Sequence, residues 1–206
     1  MLIECRACPR LAGFLDEVRA RHPGYHARPV PPFGDAAPRL LIVGLAPGLH
    51  GANRTGRPFT GDHAGILLYQ TLHEFGWASQ AASEHDGDGL QLTGCRITNA
   101  VKCLPPANRP EPAEIRQCNS HLRAELDALP GAAALLALGR IAHQAVLMAQ
   151  ELKLKDYPFG HASVHRLPDG RRLYDSFHCS RYNTQTRRLT ADMFRAVFAG
   201  IRSDLE

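Results

Sequence analysis

The stretch that decides the fold is Arg39-Leu-Leu-Ile-Val-Gly-Leu-Ala-Pro-Gly48, which occupies residues 39–48. Its first half is short, apolar and partly β-branched, and Gly44 and Pro47 then interrupt it, as expected of a buried parallel strand. A loop rich in glycine continues to Asp62, and helical periodicity extends over residues 63–75. This order of strand, loop and helix predicts the first unit of a parallel sheet that is covered by helices.

Further strand and helix patterns alternate along the rest of the chain. Strands are predicted over residues 95–101, 133–138 and 172–177, and helices over 112–129, 140–150 and 190–201, with one more helix ending near residue 21. This alternation implies right-handed crossovers. We therefore expect a three-layer α/β/α fold with a central, mainly parallel sheet of four strands, whose carboxyl edge is where such sheets bind ligands.

Composition places few limits on function. With 206 residues, 44% of them hydrophobic, the chain can bury a substantial core, and we expect a single domain over residues 1–206. No apolar run approaches the ~18 residues of a membrane-spanning helix, and the amino terminus lacks the features of a secretory signal. We expect a cytoplasmic monomer without membrane contact. The formal net charge of +4 suits a polyanionic partner but does not require one.

Four of the six cysteines are placed where their thiols could meet. Cys5 and Cys8 form a Cys-x-x-Cys pair before the first helix, and Cys103 and Cys118 lie around a proline-rich turn and the helix that follows it. Four thiolates satisfy either a tetrahedral zinc ion or an iron–sulfur cluster, and the spacing does not separate the two. The alternative is that these side chains are small buried hydrophobic residues, which is what we expect of the other two cysteines.

Two loops carry polar residues at the ends of predicted strands. The first, residues 44–62, is rich in glycine, which permits close backbone approach to a ligand, but it matches neither GxGxxG nor GxxxxGK[ST]. The second, residues 177–190, combines a histidine, amides, a tyrosine and three arginines, a mixture suited to contacting phosphates and a base. The alternative for the second loop is a solvated connection capped by Thr190.

Four ordered segments of the chain resemble the family 5, or B-type, uracil-DNA glycosylases. The two loops carry the resemblance in GLAPGLHGANRTGRPFTGD (residues 44–62) and HCSRYNTQTRRLT (residues 178–190). The segments CRACPRL (5–11) and NAVKCLPPANRPEPAEIRQC (99–118) resemble the iron–sulfur ligand regions of that family. The resemblance implies hydrolysis of the N-glycosidic bond of uracil, and of other deaminated bases such as hypoxanthine, in double-stranded DNA. It also implies a [4Fe–4S] cluster on Cys5, Cys8, Cys103 and Cys118.

The resemblance further implies catalytic roles. Better-known glycosylases carry an acidic or amide side chain just after the first strand, where this chain has Ala46. Asp62 would therefore orient or deprotonate the attacking water, assisted by Asn108, and His178 would donate to the carbonyl of the departing base. The competing interpretation of Asp62 is a helix N-cap, because it directly precedes a predicted helix.

The remaining implied residues bind the base and the DNA. Phe59 would stack on the extruded base, Asn99 would bind its edge, and backbone amides of the turn that contains Ala46 and Gly48 would face it. The residues expected to contact DNA are Arg181, Tyr182, Asn183, Gln185, Arg187 and Arg188.

Two interpretations compete with a glycosylase. The first is a cluster-bearing protein that binds damaged DNA without hydrolysis, which Ala46 alone would permit. The second is a zinc-containing hydrolase of small nucleotides. No lysine in these loops stands as an obvious Schiff-base nucleophile, so we expect no strand cleavage.

Overall fold

A six-stranded sheet forms the centre of the computed structural model, which describes residues 1–206. The strands are β1 (Phe33–Gly34), β2 (Leu40–Gly44), β3 (Cys95–Asn99), β4 (Ala134–Leu138), β5 (Val164–Arg166) and β6 (Arg172–Ser176). Their spatial order is β1-β3-β2-β4-β6-β5. The inner four, β3, β2, β4 and β6, are mutually parallel, and the edge strands β1 and β5 pair antiparallel. The predicted mainly parallel α/β fold is confirmed.

The expected count of four strands is corrected to six by the two edge strands. β1 is only two residues long, and β5 has three residues, of which Val164 and Arg166 are exposed. Strands this short and this exposed have no run of apolar residues or clear alternation by which a pattern could reveal them. The four inner strands are almost wholly buried, so their apolar runs were visible in the sequence.

Seven α-helices accompany the sheet. They are α1 (Pro9–Arg21), α2 (Ala52–Thr55), α3 (His63–Glu74), α4 (Pro112–Asp127), α5 (Arg140–Ala149), α6 (Arg181–Gln185) and α7 (Ala191–Leu205). Polar side chains fix several starts: Asp62 accepts from Gly65 N, and Thr190 accepts from Met193 N. The short helices α2 and α6 lie inside the two loops that the sequence predicted. No helix has both the length and the apolar character needed to cross a bilayer.

Two apolar layers hold helices on opposite faces of the sheet. Alternate strand residues such as Leu40 and Ile42 pack with α3 and α7, while their neighbours Leu41 and Val43 pack with α4 and α5. A third, smaller cluster joins α1 to the segment that follows β3. The result is the expected three-layer α/β/α arrangement, with the carboxyl ends of four parallel strands exposed at one edge.

Candidate active site

A cavity of about 530 Å³ opens at the carboxyl edge of the sheet. Its walls come from the segments that follow β2, β3 and β6, together with the start of α3, as expected of a parallel sheet. The residues that line it include Ala46, Gly48, Phe59, Asp62, Asn99, Asn108, His178 and Arg181. All seven residues that the sequence assigned to catalysis or base binding therefore lie around one cavity.

Phe59 and His178 form the aromatic part of the cavity. Their ring centroids are 5.7 Å apart, and the ring planes differ by 27°. Phe59 has a left-handed backbone (φ 55°), which is uncommon for a bulky residue and is held by its surroundings. Gly65 permits this arrangement, because a Cβ at that position would lie 1.9 Å from the carbonyl oxygen of Phe59. The strained backbone therefore fixes where the ring meets a ligand.

Asp62 is both a helix cap and a wall of the cavity. Its Oδ1 accepts from Gly65 N at 3.2 Å, which confirms the capping geometry. Its Oδ2 has no hydrogen-bond partner and packs against Gly51, where an added Cβ would lie 2.3 Å from it. Burial raises the pKa of Asp62, and the backbone amides of Gly65 and Ala64 only partly oppose that shift. One oxygen therefore stabilises α3 while the other is available to a ligand or a water.

His178 is a neutral imidazole at physiological pH. Loss of solvent around the ring lowers the pKa of His178 to about 4, because burial disfavours the charged form. A neutral ring keeps one N–H donor. The backbone of His178 is held by Asn183, whose Nδ2 donates to the His178 carbonyl oxygen at 2.8 Å. The site thus offers an N–H donor that does not carry positive charge.

Two asparagines reach the cavity from different directions. Asn99 ends β3, is buried, and lies close to Phe59 across Gly44, where an added Cβ would be 2.5 Å from Asn99 Oδ1. Asn108 is exposed and has a left-handed backbone (φ 56°) in a short turn after Pro105. Neither amide side chain makes a hydrogen bond within the protein, so both can bind a ligand. Ala46 adds only a methyl group beside them.

The segment after β6 forms an exposed cationic surface next to the cavity. Tyr182 is 69% exposed, Gln185, Arg187 and Arg188 are also exposed, and Arg181 lines the cavity itself. The Arg188 guanidinium lies 4.7 Å from the centre of the Phe177 ring. Acidic partners are absent here: the three arginines take part in none of the ion pairs of the structure. Asn183 differs from the others in that its amide is used internally to hold His178.

Four cysteines from three segments line one small cavity. Cys5 and Cys8 precede α1, Cys103 follows β3, and Cys118 lies on α4. Burial raises the pKa of Cys103 to about 12 and also raises the pKa of Cys118, although Lys102 N donates to Cys118 Sγ at 3.3 Å. All six cysteines are free thiols, and the other two lie in the hydrophobic core as expected. A positively charged centre would be needed to stabilise thiolates here.

The sequence patterns did not reveal two histidines at the cavity. His50 lies in the first loop, and its Nδ1 is 2.8 Å from the hydroxyl of Tyr25. His63 Nε2 is 3.0 Å from Thr184 Oγ1, which joins the start of α3 to α6. His63 follows Asp62 directly, and that adjacency was a usable signal. No sequence signal indicated the contact between His50 and Tyr25, because it depends on how α1 and the segment that follows it pack against the first loop.

Comparison with known proteins defines the class. The model of the uracil DNA glycosylase superfamily matches residues 31–202, so the chain belongs to that superfamily. Within it, the chain is similar to a type-5 uracil-DNA glycosylase of Thermus thermophilus, with 49% identity over 95% of this chain and 91% of the relative. It is also similar to type-5 enzymes of Mycobacterium bovis (44% identity, covering 94% and 75%) and Pyrobaculum aerophilum (40% identity, covering 98% and 90%).

Proposed function

We propose that this chain is a uracil-DNA glycosylase, which uses water to cleave the bond between uracil and its deoxyribose in DNA. One observation carries the proposal: Phe59 and Asp62 from the first loop and His178 from the segment after β6 line one cavity at the carboxyl edge of a parallel sheet. A ring, a carboxylate and a neutral imidazole are the groups that base binding, water activation and leaving-group stabilisation require. The type-5 names of the relatives support the same activity.

The first step is extrusion of the target nucleotide from the duplex. Extrusion gives up stacking and pairing, so exposed side chains must compensate by filling the gap and holding the strand. Tyr182 and Gln185 are exposed on α6 beside the cavity and suit the first task. The arginines of the cationic surface suit the second, because guanidinium groups bind phosphates without reading sequence.

The extruded base is held in the cavity before reaction. Phe59 supplies a ring for stacking, and the free amide of Asn99 can bind the polar edge of the base. The turn that holds Gly48 brings backbone close to the base. Ala46 provides no polar group, so no side chain at this position selects uracil strictly over other bases. We therefore extend the proposal to hypoxanthine.

Hydrolysis then needs an activated water and a stabilised leaving group. Asp62 Oδ2 accepts a proton from the water that attacks the sugar, and Asn108 helps to orient that water. Negative charge grows on the departing base, and the neutral His178 donates a hydrogen bond to its carbonyl oxygen. Because the bond breaks by hydrolysis, the products are a free base and an abasic site.

We also propose that Cys5, Cys8, Cys103 and Cys118 hold a [4Fe–4S] cluster. The four thiols share one cavity but do not form a group whose donor atoms all lie within 4.8 Å of one another. Four cysteine thiolates can hold either a zinc ion or a [4Fe–4S] cluster, and the resemblance of these segments to the iron–sulfur ligand regions of the family 5 enzymes favours the cluster. When bound, the cluster would join the amino terminus to α4; it lies outside the active-site cavity.

The iron–sulfur proposal is tested by the visible spectrum of freshly purified protein. A broad brown absorption is expected, together with about four iron atoms per chain. A colourless sample that contains zinc at the cysteines would contradict it. We further propose that residues 1–206 act as one monomeric domain, which sedimentation of the purified chain would test.

The glycosylase proposal is tested with uracil-containing and hypoxanthine-containing duplex oligonucleotides under single-turnover conditions. Wild type should produce abasic sites, and Asp62→Asn should lower the rate by ~10²–10⁴-fold, the usual contribution of a general base. The matched control is Asp192→Asn, which alters an exposed carboxylate on α7 and should leave the rate unchanged. Wild type that binds these duplexes without product would favour a damage-binding protein, and an unimpaired Asp62→Asn would refute the water role.

A further inference from the structure

A buried group of two histidines and one aspartate lies apart from the active site and from the cysteine cavity. Asp175 is in β6, His165 is in the edge strand β5, and His143 is in α5. One ligand atom from each residue lies within 4.8 Å of the other two. Asp175 is fully buried, His143 is 1% exposed, and no lysine or arginine pairs with the carboxylate. The proposed glycosylase reaction uses none of the three.

The hydrogen bonds of His143 define the protonation of its ring. His143 Nε2 is 2.8 Å from the carbonyl oxygen of Tyr157, which can only accept, so Nε2 carries the hydrogen. In a neutral ring Nδ1 is then an acceptor, yet it faces Asp175 Oδ1 at 2.7 Å. Two acceptors at that distance require a proton between them, or a metal ion that binds both once they have separated to about 3.3 Å.

The contact between His165 and Asp175 also leaves polar atoms without a hydrogen-bond partner. His165 Nε2 is 3.3 Å from Asp175 Oδ2, but the geometry makes no hydrogen bond. Both atoms are buried without any other hydrogen-bond partner. Unsatisfied buried polar atoms are costly, so two of them that face each other indicate a missing partner. A single cation near the carboxylate would satisfy both sides.

The donor set favours a divalent transition-metal ion over a proton. Two imidazoles and one carboxylate are ligands typical of zinc and of iron(II). Zinc bonds of about 2.0–2.1 Å place neighbouring ligand atoms about 3.3 Å apart in a tetrahedron. The 3.3 Å between His165 Nε2 and Asp175 Oδ2 matches this value, whereas the 2.7 Å between His143 Nδ1 and Asp175 Oδ1 is a hydrogen-bond distance that would widen on metal binding. The hydrogen bond from His143 to the Tyr157 carbonyl is also the kind of contact that orients a metal-binding histidine.

We propose that His143, His165 and Asp175 form a binding site for a divalent transition-metal ion, with Zn²⁺ as the best-suited ion. His165 is the only one of the three with notable side-chain exposure, at 13%. The ion would join the edge strand β5, β6 and α5. Because Asp175 is three residues before His178, the ion would also fix the end of the strand that carries the imidazole donor of the active site.

The test loads purified protein with Zn²⁺, removes weakly bound ion, and measures zinc content and zinc-edge X-ray absorption. Wild type should retain about one zinc with nitrogen and oxygen neighbours at about 2.0–2.1 Å, whereas cysteine-bound zinc would show sulfur at about 2.3 Å. His165→Gln should weaken binding more than the ~10–100-fold typical of losing an outer hydrogen bond. The control is His85→Gln, which removes an exposed histidine elsewhere and should bind like wild type.

A second variant keeps the test decisive if His165→Gln folds poorly. Asp175→Asn supplies an amide N–H to His143 Nδ1, so it removes the need for a cation while keeping the shape. Chelation should lower the unfolding temperature of wild type and leave that of Asp175→Asn unchanged. Wild type that retains no zinc with nitrogen and oxygen neighbours, or His165→Gln that binds as tightly as wild type, would overturn the site. Neither result depends on glycosylase activity.

Discussion

At the scale of single residues, the two oxygens of Asp62 have different surroundings. Oδ1 caps α3 through Gly65 N, and Oδ2 remains free over Gly51. The functional and the structural interpretations of this aspartate are therefore compatible. Because they involve different oxygens and different chemistry, substitutions can separate them.

Substitution of Asp62 should separate stability from activity. Asparagine is as good an N-cap as aspartate, so Asp62→Asn should leave the free energy of unfolding nearly unchanged while the rate collapses. Asp62→Ala removes the cap as well and should lower the free energy of unfolding by ~1 kcal/mol. Urea unfolding of the three proteins measures this. An equal loss of unfolding free energy in Asp62→Asn and Asp62→Ala would contradict the role of the Asp62 side chain as the cap of α3.

The pH dependence of activity should report Asp62 rather than His178. Burial raises the pKa of Asp62 above its usual range, and a protonated carboxyl cannot accept the proton of the attacking water. The rate should therefore fall as pH is lowered through that raised pKa. His178, with a pKa of about 4, carries an N–H donor in both its neutral and its protonated form, so its titration does not remove the hydrogen bond to the base. Single-turnover rates across pH measure the acidic limb, which should vanish from the residual activity of Asp62→Asn; its persistence there would assign it to another group.

At the scale of elements, the packing of α3 against the first loop sets the position of Phe59. The first turn of α3 passes so close to the Phe59 carbonyl that only glycine fits at position 65. The loop conformation and the helix therefore depend on each other. Alanine is tolerated at most helical positions, but α3 cannot accommodate it at position 65, where the helix contacts this loop.

Alanine at two helical glycines should have opposite effects. Gly65→Ala forces Phe59 to move, so it should lower the free energy of unfolding by ~1–3 kcal/mol and reduce activity. Gly13→Ala in α1 meets no atom within 4 Å and should raise the free energy of unfolding by ~0.5–1 kcal/mol with unchanged activity. Thermal unfolding and rate measurements on both variants test this. Stabilisation by Gly65→Ala would contradict the close approach of α3 to Phe59.

The elements also show how far sequence patterns extend. The inner strands and the five long helices were predictable within a few residues, because their buried positions carry apolar residues in short runs or at helical spacing. The edge strand β5 was not, since two of its three residues face solvent. At the site, glycine and polar clusters located the loops correctly. The left-handed turn of Asn108 and the hydrogen bond from Asn183 to His178 depend on tertiary contacts that no local pattern records.

At the scale of the whole molecule, the arginines beside the active-site cavity have no acidic partners, while several arginines elsewhere are neutralised. Arg195 pairs with Glu74 and Asp192, and Arg202 pairs with Glu206. Arg187 and Arg188 have no such partners. A modest net charge of +4 therefore conceals a local surface suited to phosphates.

Salt dependence of DNA binding should distinguish the two sets of arginines. Replacing Arg187 and Arg188 by alanine should weaken binding to duplex DNA and reduce the slope of log affinity against log salt by roughly 0.9 for each phosphate that the variant no longer neutralises. Replacing Arg195 and Arg202 by alanine changes net charge equally and should leave that slope almost unaltered. Equilibrium binding at several salt concentrations measures both. Equal slopes in the two double variants would mean that only net charge matters.

The third apolar cluster, in which Leu11, Leu15 and Val18 of α1 pack with Val101, Leu104 and Cys118, has a consequence for biosynthesis. The ribosome makes α1 before the surface that receives it, because residues 101–118 follow α1 by about 80 positions. Although domains generally fold from the amino terminus during translation, this helix must wait undocked. Its apolar face stays exposed during that interval, and α1 joins the folded protein only after the later segments have been made.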